Sequence, residues 1–514
     1  MSRNPSVVPG DRHDAMLLAN VAPEDWKNPE PTGRYNLVVL GAGTAGLITA
    51  ALASGLGARV ALVERHMMGG DCLNVGCVPS KGVIRESRRA HEARSAAEIG
   101  LPASQPADVD FAAAMARMRS RRALISEEDA AARYQRELGV DVFRGDARFA
   151  GGDVVEVRAA DSGSSRLRFK KAVIATGARA SAPPIPGLAE AGYRDNETLF
   201  ALVERPERLA VIGAGPIGCE MAQAFRRLGS EVVLFEQAER IMLREDSDAA
   251  ALVQRRFASE GVELVLGCQI ESVESRAGEK IVHVRGSDGT SREHVVDEIL
   301  VGVGRAPNVE GLNLEAVGVD HDRQGVKVDD ALRTSQPAIF AAGDVCMRWK
   351  FTHAADAAAK IVVRNALFPF LPKQKLSSLV MPWCTYTDPE VAHVGLYEAE
   401  AREQGLEVET IQIPLERVNR AVLDDEAEGF VKVHLKRGSD RILGATIVAS
   451  HAGEMISEIT LAMVGRLGLG TLLNVIHPYP TQAEAIKRVA GEHARGRLTP
   501  RVAGMLRRIL AWSR

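Results

Sequence analysis

Apolar and polar positions follow a strand–turn–helix–strand order near the start of the chain. Residues 35–40 (YNLVVL) form an apolar run typical of a buried strand, and a glycine-rich turn (41–46) and an alanine-rich helical stretch come directly after it. A second apolar run, residues 59–64 (RVALVE), ends the segment. This pattern predicts one βαβ unit.

The same order returns at residues 209–236, with the turn GAGPIG between two apolar runs. The interval from Gly41 to Glu64 equals the interval from Gly213 to Glu236. The two units are therefore copies in matching register. This repeat predicts an α/β chain that contains two Rossmann-like dinucleotide-binding domains.

The pattern changes near residue 375 to strand-rich segments interleaved with helices, which predicts a separate α+β domain. The expected organisation follows in chain order. It comprises an irregular N-terminal extension (1–34), a first dinucleotide-binding domain (35–190 and 315–374), a second one (191–314), a C-terminal interface domain (375–494) and a basic amphipathic tail (495–514).

Composition excludes several partner classes. The chain has 64 lysine and arginine residues against 67 aspartate and glutamate residues, a net charge of −3, so no strong global field attracts nucleic acid. Six cysteines, mostly scattered, and a polar beginning indicate a cytoplasmic protein. The tail carries an apolar stripe, for which packing on its own domain is expected rather than membrane contact; it comprises Val502, Met505, Leu506, Ile509 and Leu510.

Each glycine turn has the chemistry of a nucleotide site. The first glycine permits a tight turn, the second allows close approach of a pyrophosphate, and the third lets helix and strand pack closely. The closing acid accepts hydrogen bonds from a ribose diol and repels a 2′-phosphate, which favours NADH over NADPH at the second site. The predicted contacts are Gly41, Gly43, Gly46 and Glu64 in the first unit and Gly213, Gly215, Gly218 and Glu236 in the second.

Cys72 and Cys77 lie in the segment GGDCLNVGCVPSK. No second cysteine pair accompanies them, so we predict a redox-active pair and no structural metal site. A bridge at this spacing needs an irregular turn, which Gly76 permits, and Pro79 belongs to the first turn of a helix. Such a helix starts close to Cys77, and its positive end favours the Cys77 thiolate.

Further segments accompany these motifs: VIATGA (173–178), GVGRAPN (302–308), AAGDV (341–345) and TYTDPEVAHVG (385–395). Together they resemble the flavin-dependent pyridine nucleotide–disulfide oxidoreductases, a family that includes dihydrolipoamide dehydrogenase, glutathione reductase and mercuric reductase. The resemblance covers about residues 34–490. It implies that the first βαβ unit binds FAD, that the second binds NAD(P), and that the C-terminal domain forms a homodimer.

The resemblance also implies residue roles. Electrons would pass from NAD(P)H through the flavin to a Cys72–Cys77 disulfide, with Cys77 nearer the flavin as a thiolate and Cys72 as the exposed attacking thiol. Lys81 and Glu220 match an ion pair beside the flavin, and Gly304 matches a nicotinamide contact. Further flavin contacts are implied at Gly70, Ala147, Thr176, Gly177, Gly343, Asp344 and Thr352.

Two positions depart from the pattern of the disulfide reductases. A tyrosine of glutathione reductases corresponds to Pro216 here, and the histidine that acts as acid/base across the dimer corresponds to Tyr479, with Glu484 retained. A tyrosine with a pKa near ~10 is a poor proton shuttle at neutral pH. His477 is a possible substitute base, although its spacing to Glu484 differs.

These departures favour the mercuric reductase-like branch, in which Cys72, Cys77 and Tyr479 are possible transient contacts of a substrate metal ion. No cysteine follows Cys384, whereas mercuric reductases end in a cysteine pair. The leading interpretation is an FAD-dependent enzyme that reduces a metal ion or a small disulfide. A dihydrolipoamide dehydrogenase that uses His477 is one alternative, and an electron-transfer or redox-sensing flavoprotein with little turnover is another.

Overall fold

The computed structural model describes residues 10–102, 105, 109–159 and 163–513. The α-helices are α1 (Arg12–Val21), α2 (Thr44–Gly55), α3 (Gly70–Asn74), α4 (Cys77–Ser95), α5 (Phe111–Ile125), α6 (Ala131–Arg136), α7 (Leu188–Ala191), α8 (Pro216–Arg227), α9 (Ser247–Glu260), α10 (Thr352–Leu367), α11 (Glu398–Glu403), α12 (Asn419–Leu423), α13 (Ala452–Val464), α14 (Leu469–Leu473), α15 (Glu484–Gly496) and α16 (Pro500–Trp512).

The strands in the first half of the chain are β1 (Arg34–Leu40), β2 (Val60–Glu64), β3 (Asp141–Arg144), β4 (Asp146–Gly151), β5 (Val154–Arg158), β6 (Ser164–Ile174), β7 (Ala178–Ala180), β8 (Arg208–Ile212), β9 (Glu231–Glu236) and β10 (Val262–Leu266). The later strands are β11 (Gln269–Arg276), β12 (Glu279–Arg285), β13 (Ser291–Val296), β14 (Glu298–Val301), β15 (Arg305–Pro307), β16 (His321–Asp322), β17 (Gly325–Val326), β18 (Ile339–Ala341), β19 (Pro382–Thr385), β20 (Glu390–Gly395), β21 (Val408–Pro414), β22 (Phe430–Lys436) and β23 (Ile442–Ala449).

Backbone contacts divide the chain into two units. The first contains Met1–Gln237 and Gly261–Leu379, and the second contains Ala238–Glu260 and Val380–Arg514. Helix α9 thus belongs with the C-terminal residues, to which it is bound by ion pairs such as Arg256 Nη2–Glu428 Oε2 at 3.0 Å. The predicted boundaries between the two nucleotide-binding domains stay predictions.

The first unit contains both βαβ repeats, and each repeat forms a parallel sheet. Strands β3, β2, β1 and β6 pair in that order, with β18 parallel to β6 and with β5 and β4 added antiparallel. The second sheet has the order β10–β9–β8–β14. The strands β1, β2, β8 and β9 bury nearly every side chain, as expected for parallel strands covered on both faces. The predicted α/β fold is confirmed.

The second unit is built on one five-stranded antiparallel sheet, in the order β19–β20–β23–β22–β21. Helices α13 and α15 contribute Ile459 and Val489 to its core, together with strand residues such as Val433 and Ile447. Strands β22 and β23 lie in the part of the chain for which strand-rich segments are predicted. The predicted α+β domain is confirmed.

The irregular extension predicted at residues 1–34 is wrong for residues 12–21, which form helix α1. Asp11 caps this helix by accepting hydrogen bonds from two backbone N–H groups. Leu17 and Val21 are buried, and Asp14 Oδ1 lies 3.0 Å from Arg122 Nη2 of α5 with both side chains almost fully buried. Residues 1–9 of the predicted extension lie outside the described residues.

The tail also departs from expectation. Residues 500–512 form the predicted amphipathic helix, α16, yet none of its apolar side chains is buried. The expectation that the stripe packs on its own domain is therefore wrong, because no described residue covers that face of the helix. Arg514 lies outside the described residues. None of the helices formed by the described residues combines the length and apolar character needed to cross a bilayer.

The buried pair leads to a stability prediction. We expect Asp14→Asn to lower the apparent free energy of unfolding by about 3 kcal/mol, because the substitution leaves the Arg122 guanidinium buried without its counter-charge. The midpoint of urea denaturation, followed by circular dichroism, measures the effect. Asp25→Asn, at an exposed position, is the matched control. Equal midpoints for the two variants would contradict a structural role for the pair.

Candidate active site

The two glycine turns share one backbone geometry. Gly41 and Gly213 each have φ +99°, in the left-handed region that favours glycine. A Cβ on Gly46 would lie 1.8 Å from the carbonyl oxygen of Gly41, and one on Gly218 would lie 1.9 Å from that of Gly213. Both third glycines are therefore required by close packing, as the spacing predicts.

The second glycine of each turn opens a helix. Gly43 and Gly215 are the N-cap residues of α2 and α8. Glycine has no side chain with which to cap the helix, so the first backbone N–H groups remain available to a phosphate. The two helix N-termini thus have the arrangement that binds a dinucleotide pyrophosphate.

The two closing acids occupy equivalent positions. Glu64 accepts hydrogen bonds from the backbone N–H of Ala42 (2.7 Å) and of His66 (2.7 Å). Glu236 accepts one from the backbone N–H of Ala214 at 2.8 Å. Each carboxylate is therefore held against the residue that follows the first glycine, at the end of the second strand of its unit.

The cysteine segment lies directly against the first glycine turn. A Cβ on Gly70 would come within 2.6 Å of Cα of Gly43, so the two backbones touch. Beside them lies a charged cluster in which Arg305 pairs with Asp71 and, at 3.3 Å, with Asp344. The glycine turn, the acid Glu64 and this polar cluster fit an extended, charged dinucleotide such as FAD.

The two cysteines lie on either side of a helix break. Cys72 is in α3 and Cys77 is the first residue of α4, with Val75 and Gly76 between the helices. A Cβ on Gly76 would approach the carbonyl oxygen of Asp71 to 2.7 Å, so the break needs glycine. This geometry brings the two thiols within hydrogen-bond distance of each other. The predicted irregular turn and helix start are both present.

The surroundings of the two thiols lower the pKa of Cys77 and raise that of Cys72. A hydrogen bond from Cys72 lowers the pKa of Cys77 to about 6, and although burial opposes the shift, the Thr352 hydroxyl and the Lys81 ammonium add to it. The same hydrogen bond, together with burial, raises the pKa of Cys72. At neutral pH the reduced pair therefore holds a Cys77 thiolate and a Cys72 thiol.

Lys81 and Glu220 form the predicted ion pair. The distance from Lys81 Nζ to Glu220 Oε2 is 2.8 Å, and the Glu220 side chain is only 5% exposed. An ordinary surface pair would leave both groups in water. In this pair the positively charged Lys81 ammonium is close enough to Cys77 to lower the pKa of that thiol.

The Cys77 thiol lies beside a position that the resemblance assigns to the flavin. In the protein alone, Cys77 is exposed and Cys72 is partly buried, and which thiol is open to an acceptor stays a prediction. Cys77 is the first residue of α4, and its Sγ lies 3.4 Å from Oγ1 of Thr352. Thr352, in turn, is one of the positions assigned to the flavin.

The other predicted cofactor positions are spread over the first unit. Thr176 Oγ1 donates to the carbonyl oxygen of Asn308 (2.7 Å), and Gly177 (φ +69°) accepts from the Asn308 N–H. Gly343 (φ +81°) precedes Asp344, whose pKa burial raises. Ala147 pairs with Val157 in the sheet, and the carbonyl of Gly304 accepts from the Ser181 N–H.

The predicted C-terminal residues lie in the second unit and do not form one hydrogen-bonded group. The Tyr479 hydroxyl accepts from Asn419 Nδ2 at 3.0 Å, and the Tyr479 side chain is largely exposed. His477 Nε2 lies 3.1 Å from both carboxylate oxygens of Glu458. Glu484 accepts from Arg488 at 2.9 Å. His477 and Glu484 thus have separate partners.

Sequence reasoning missed two charged neighbours of the thiols. Arg305, which bridges Asp71 and Asp344, lies inside a motif that was recognised, so its position in GVGRAPN was the available signal. Asp129 has its pKa raised to about 6 by burial, and its negative charge adds to the raised pKa of Cys72. Its position within the charged run SEED carried no such signal.

Comparison with known proteins agrees with this site. The sequence model described as pyridine nucleotide-disulphide oxidoreductase matches residues 35–359, and that of the family's dimerisation domain matches residues 381–490. The chain belongs to the pyridine nucleotide–disulphide oxidoreductases. The family supports FAD as cofactor and a homodimer as the assembly.

Individual relatives differ in their substrates. Mercuric reductase of Bacillus cereus is 34% identical over 93% of this chain and 74% of that protein. Dihydrolipoyl dehydrogenase 3 of Pseudomonas aeruginosa is 33% identical over 89% of this chain and 97% of that protein. The Cu(II) complex of the HOCl-induced flavoprotein disulfide reductase RclA from Escherichia coli superimposes with a TM-score of 0.80, at 27% identity, covering 90% of this chain and 99% of that one. These similarities leave the acceptor open.

The acidity of Cys77 leads to a prediction. We expect thiolate formation in the reduced holoenzyme with an apparent pKa of about 6. Lys81→Gln should raise this value because it removes the ammonium, and Glu220→Gln should lower it because it removes the opposing carboxylate. Ultraviolet thiolate absorbance between about pH 4 and 9, corrected with Cys77→Ser, measures the pKa. Shifts of the same sign in both variants would argue against this electrostatic account.

Proposed function

We propose that this flavoprotein oxidises NAD(P)H and passes two electrons through Cys72 and Cys77 to a metal ion, as in mercuric reductase, or to a small disulfide. The observation that carries the proposal is the thiol pair itself. Cys77 is held as a thiolate by Cys72, Thr352 and Lys81, and Gly70 of the same segment contacts a glycine turn shaped for a dinucleotide. A pair of structural thiols would have no need of this unequal acidity.

The residues assigned to each cofactor follow from the geometry. FAD, when bound, would accept a hydride from NAD(P)H and supply two electrons to the cysteine pair. The first βαβ unit would hold its pyrophosphate on the N-terminus of α2 and its ribose on Glu64, while Asp344 and Thr352 would contact the rest of the cofactor. Gly213, Gly215, Gly218, Glu236 and Gly304 would receive the nicotinamide nucleotide.

The second glycine unit supports a preference for NADH. The Glu236 carboxylate would repel the 2′-phosphate of NADPH. Arg240, the cation nearest in sequence, donates hydrogen bonds to the carbonyl oxygens of Met242 (3.0 Å), Leu243 (2.7 Å) and Glu245 (3.0 Å). These bonds direct both Nη atoms of Arg240 toward carbonyl oxygens of its own segment, which supports a smaller role for Arg240 than for Glu236.

With a disulfide acceptor, the reaction proceeds in two thiol–disulfide exchange steps, one at Cys72 and one at Cys77. Cys72, once deprotonated, attacks one sulfur of the acceptor, forms a mixed disulfide and releases the first thiolate. The Cys77 thiolate then attacks Cys72 Sγ, which re-forms the Cys72–Cys77 disulfide and releases the second thiolate. Two electrons reach the acceptor, and each released thiolate takes up a proton.

A metal-ion acceptor fits the same pair and needs less proton transfer. Thiolate sulfurs are the soft ligands that a soft cation prefers. Tyr479, assigned to face the partner's cysteines across the dimer together with Glu484, is a poor proton shuttle at neutral pH. The identity to mercuric reductases adds support. We therefore favour a metal ion over a disulfide as the acceptor.

Dihydrolipoamide dehydrogenase activity is the second candidate, favoured by the relative from Pseudomonas aeruginosa. It would require His477 to serve as the base. The His477 side chain is only 5% exposed and is paired with Glu458. Glu458 therefore orients the imidazole, but a substrate has little access to it. Lipoamide turnover that disappears in His477→Gln would favour this candidate.

The acceptor can be tested by turnover. We expect anaerobic NADH oxidation by the holoenzyme to depend on Hg(II) held by excess small thiol, and to fall below about one hundredth in Cys72→Ser because the attacking sulfur is lost. Reduction of the bound flavin by NADH should persist in that variant. Cys268→Ala, which removes a buried cysteine outside the pair, should retain turnover. Undiminished turnover in Cys72→Ser would mean that electrons leave the flavin directly.

The nucleotide preference can be tested at Glu236. We expect Glu236→Arg to shift the ratio of kcat/KM for NADH over NADPH toward NADPH by about tenfold or more, through attraction of the 2′-phosphate. Glu236→Gln keeps an acceptor for the Ala214 N–H and removes only the charge, so it should shift the ratio less. An unchanged ratio in both variants would mean that the ribose contact lies elsewhere.

A further inference from the structure

Helix α16 presents an apolar face that no described residue covers. At about 100° per residue, Val502, Met505, Leu506, Ile509, Leu510 and Trp512 fall within an arc of roughly 160°. Trp512 is 97% exposed and Met505 is 56% exposed. The helix is nevertheless well delimited, since Thr499 accepts from the Val502 N–H and Pro500 occupies the first turn. An ordered helix with this much exposed apolar surface indicates a partner.

The charges around this face have one sign. Residues 493–514 contain no aspartate or glutamate, and their arginines are Arg495, Arg497, Arg501, Arg507, Arg508 and Arg514. Arg501, Arg507 and Arg508 lie on or beside the side of α16 away from its apolar stripe, and all three are exposed. The chain as a whole has a net charge of −3, so the positive charge is local to this segment.

We propose that α16 binds the surface of an anionic phospholipid membrane. Its apolar stripe would lie at the boundary between headgroups and acyl chains, parallel to the surface, while the arginines contact lipid phosphates. Tryptophan is favoured at that boundary because its ring is apolar and its N–H is polar. The cytoplasmic leaflet, with its anionic lipids, supplies the complementary charge. The helix is too short to span a bilayer, so the contact is peripheral.

A second copy of the chain explains the same face less well. The match to the dimerisation domain ends at residue 490, whereas α16 begins at Pro500, so the family interface does not account for this helix. Two copies of α16 packed through their apolar stripes would leave these arginines facing away from the contact, so such a pair would use the apolar face but not the charge. A membrane offers both apolar depth and a surface of opposite charge. This proposal replaces our expectation from sequence that the stripe packs on its own domain.

Vesicle binding tests the proposal. The full-length holoenzyme is mixed with vesicles of phosphatidylcholine containing about one third phosphatidylglycerol, and with vesicles of phosphatidylcholine alone. We expect the protein to sediment with the anionic vesicles at least tenfold more than with the neutral ones, and to be released by high salt as the charges are screened. Trp512 fluorescence should shift to the blue on binding, and Trp512→Phe should abolish the shift.

Two substitutions of equal charge distinguish the faces of the helix. Ile509→Glu places a carboxylate in the middle of the apolar stripe and should reduce binding at least tenfold. Ala511→Glu adds the same charge on the opposite side of the helix, so it should retain most of the binding. Both positions are exposed and lie outside the proposed active site. Unchanged NADH oxidation and flavin content therefore check that each variant is folded.

Other outcomes would overturn the proposal. Equal binding to neutral and anionic vesicles, or equal loss in the two glutamate variants, would contradict an oriented helix on an anionic surface. Failure to bind any vesicle, combined with a lower oligomeric mass of Ile509→Glu in sedimentation, would mean that a second copy covers the stripe. Failure to bind with an unchanged mass would leave α16 without a membrane role.

Discussion

The close approach of two backbones at Gly43 and Gly70 is the constraint on which the rest of the first unit depends. A side chain on Gly70 would penetrate the first glycine turn, so the cysteine segment can lie where it does only if residue 70 is glycine. The turn is itself held in place by the packing of Gly46 against Gly41. Through these contacts the thiols have a defined position relative to the helix N-terminus that is assigned to the pyrophosphate.

Once the position is set, electrostatics decides which thiol ionises. Burial by itself acts to raise the pKa of both cysteines. A thiolate therefore forms only where specific partners outweigh this desolvation. Cys77 has such partners in Cys72, Thr352 and Lys81, whereas Cys72 has the opposing charge of Asp129 nearby. The Lys81 ammonium in turn depends on the buried Glu220. Removal of either charge therefore changes the thiol as well as the ion pair.

Most of the fold and the centre of the site could be predicted from sequence because their signals are local. The βαβ repeats are specified by apolar runs and glycines at short spacing, and the redox turn by Gly76 and Pro79 within a few residues of the cysteines. Arg122 and Asp129 could not be assigned in this way, because their partners Asp14 and Cys72 are distant in sequence.

The two amphipathic segments show the limit of periodicity most clearly. Both α1 and α16 present apolar residues at helical spacing, yet α1 buries Leu17 and Val21 whereas α16 buries none of its apolar side chains. Periodicity defines a face but not what covers it. Charge adds the missing information. Asp14 of α1 meets Arg122 inside the chain, whereas the exposed arginines of α16 have no acid within their own segment, which leaves their charge available to an anionic partner.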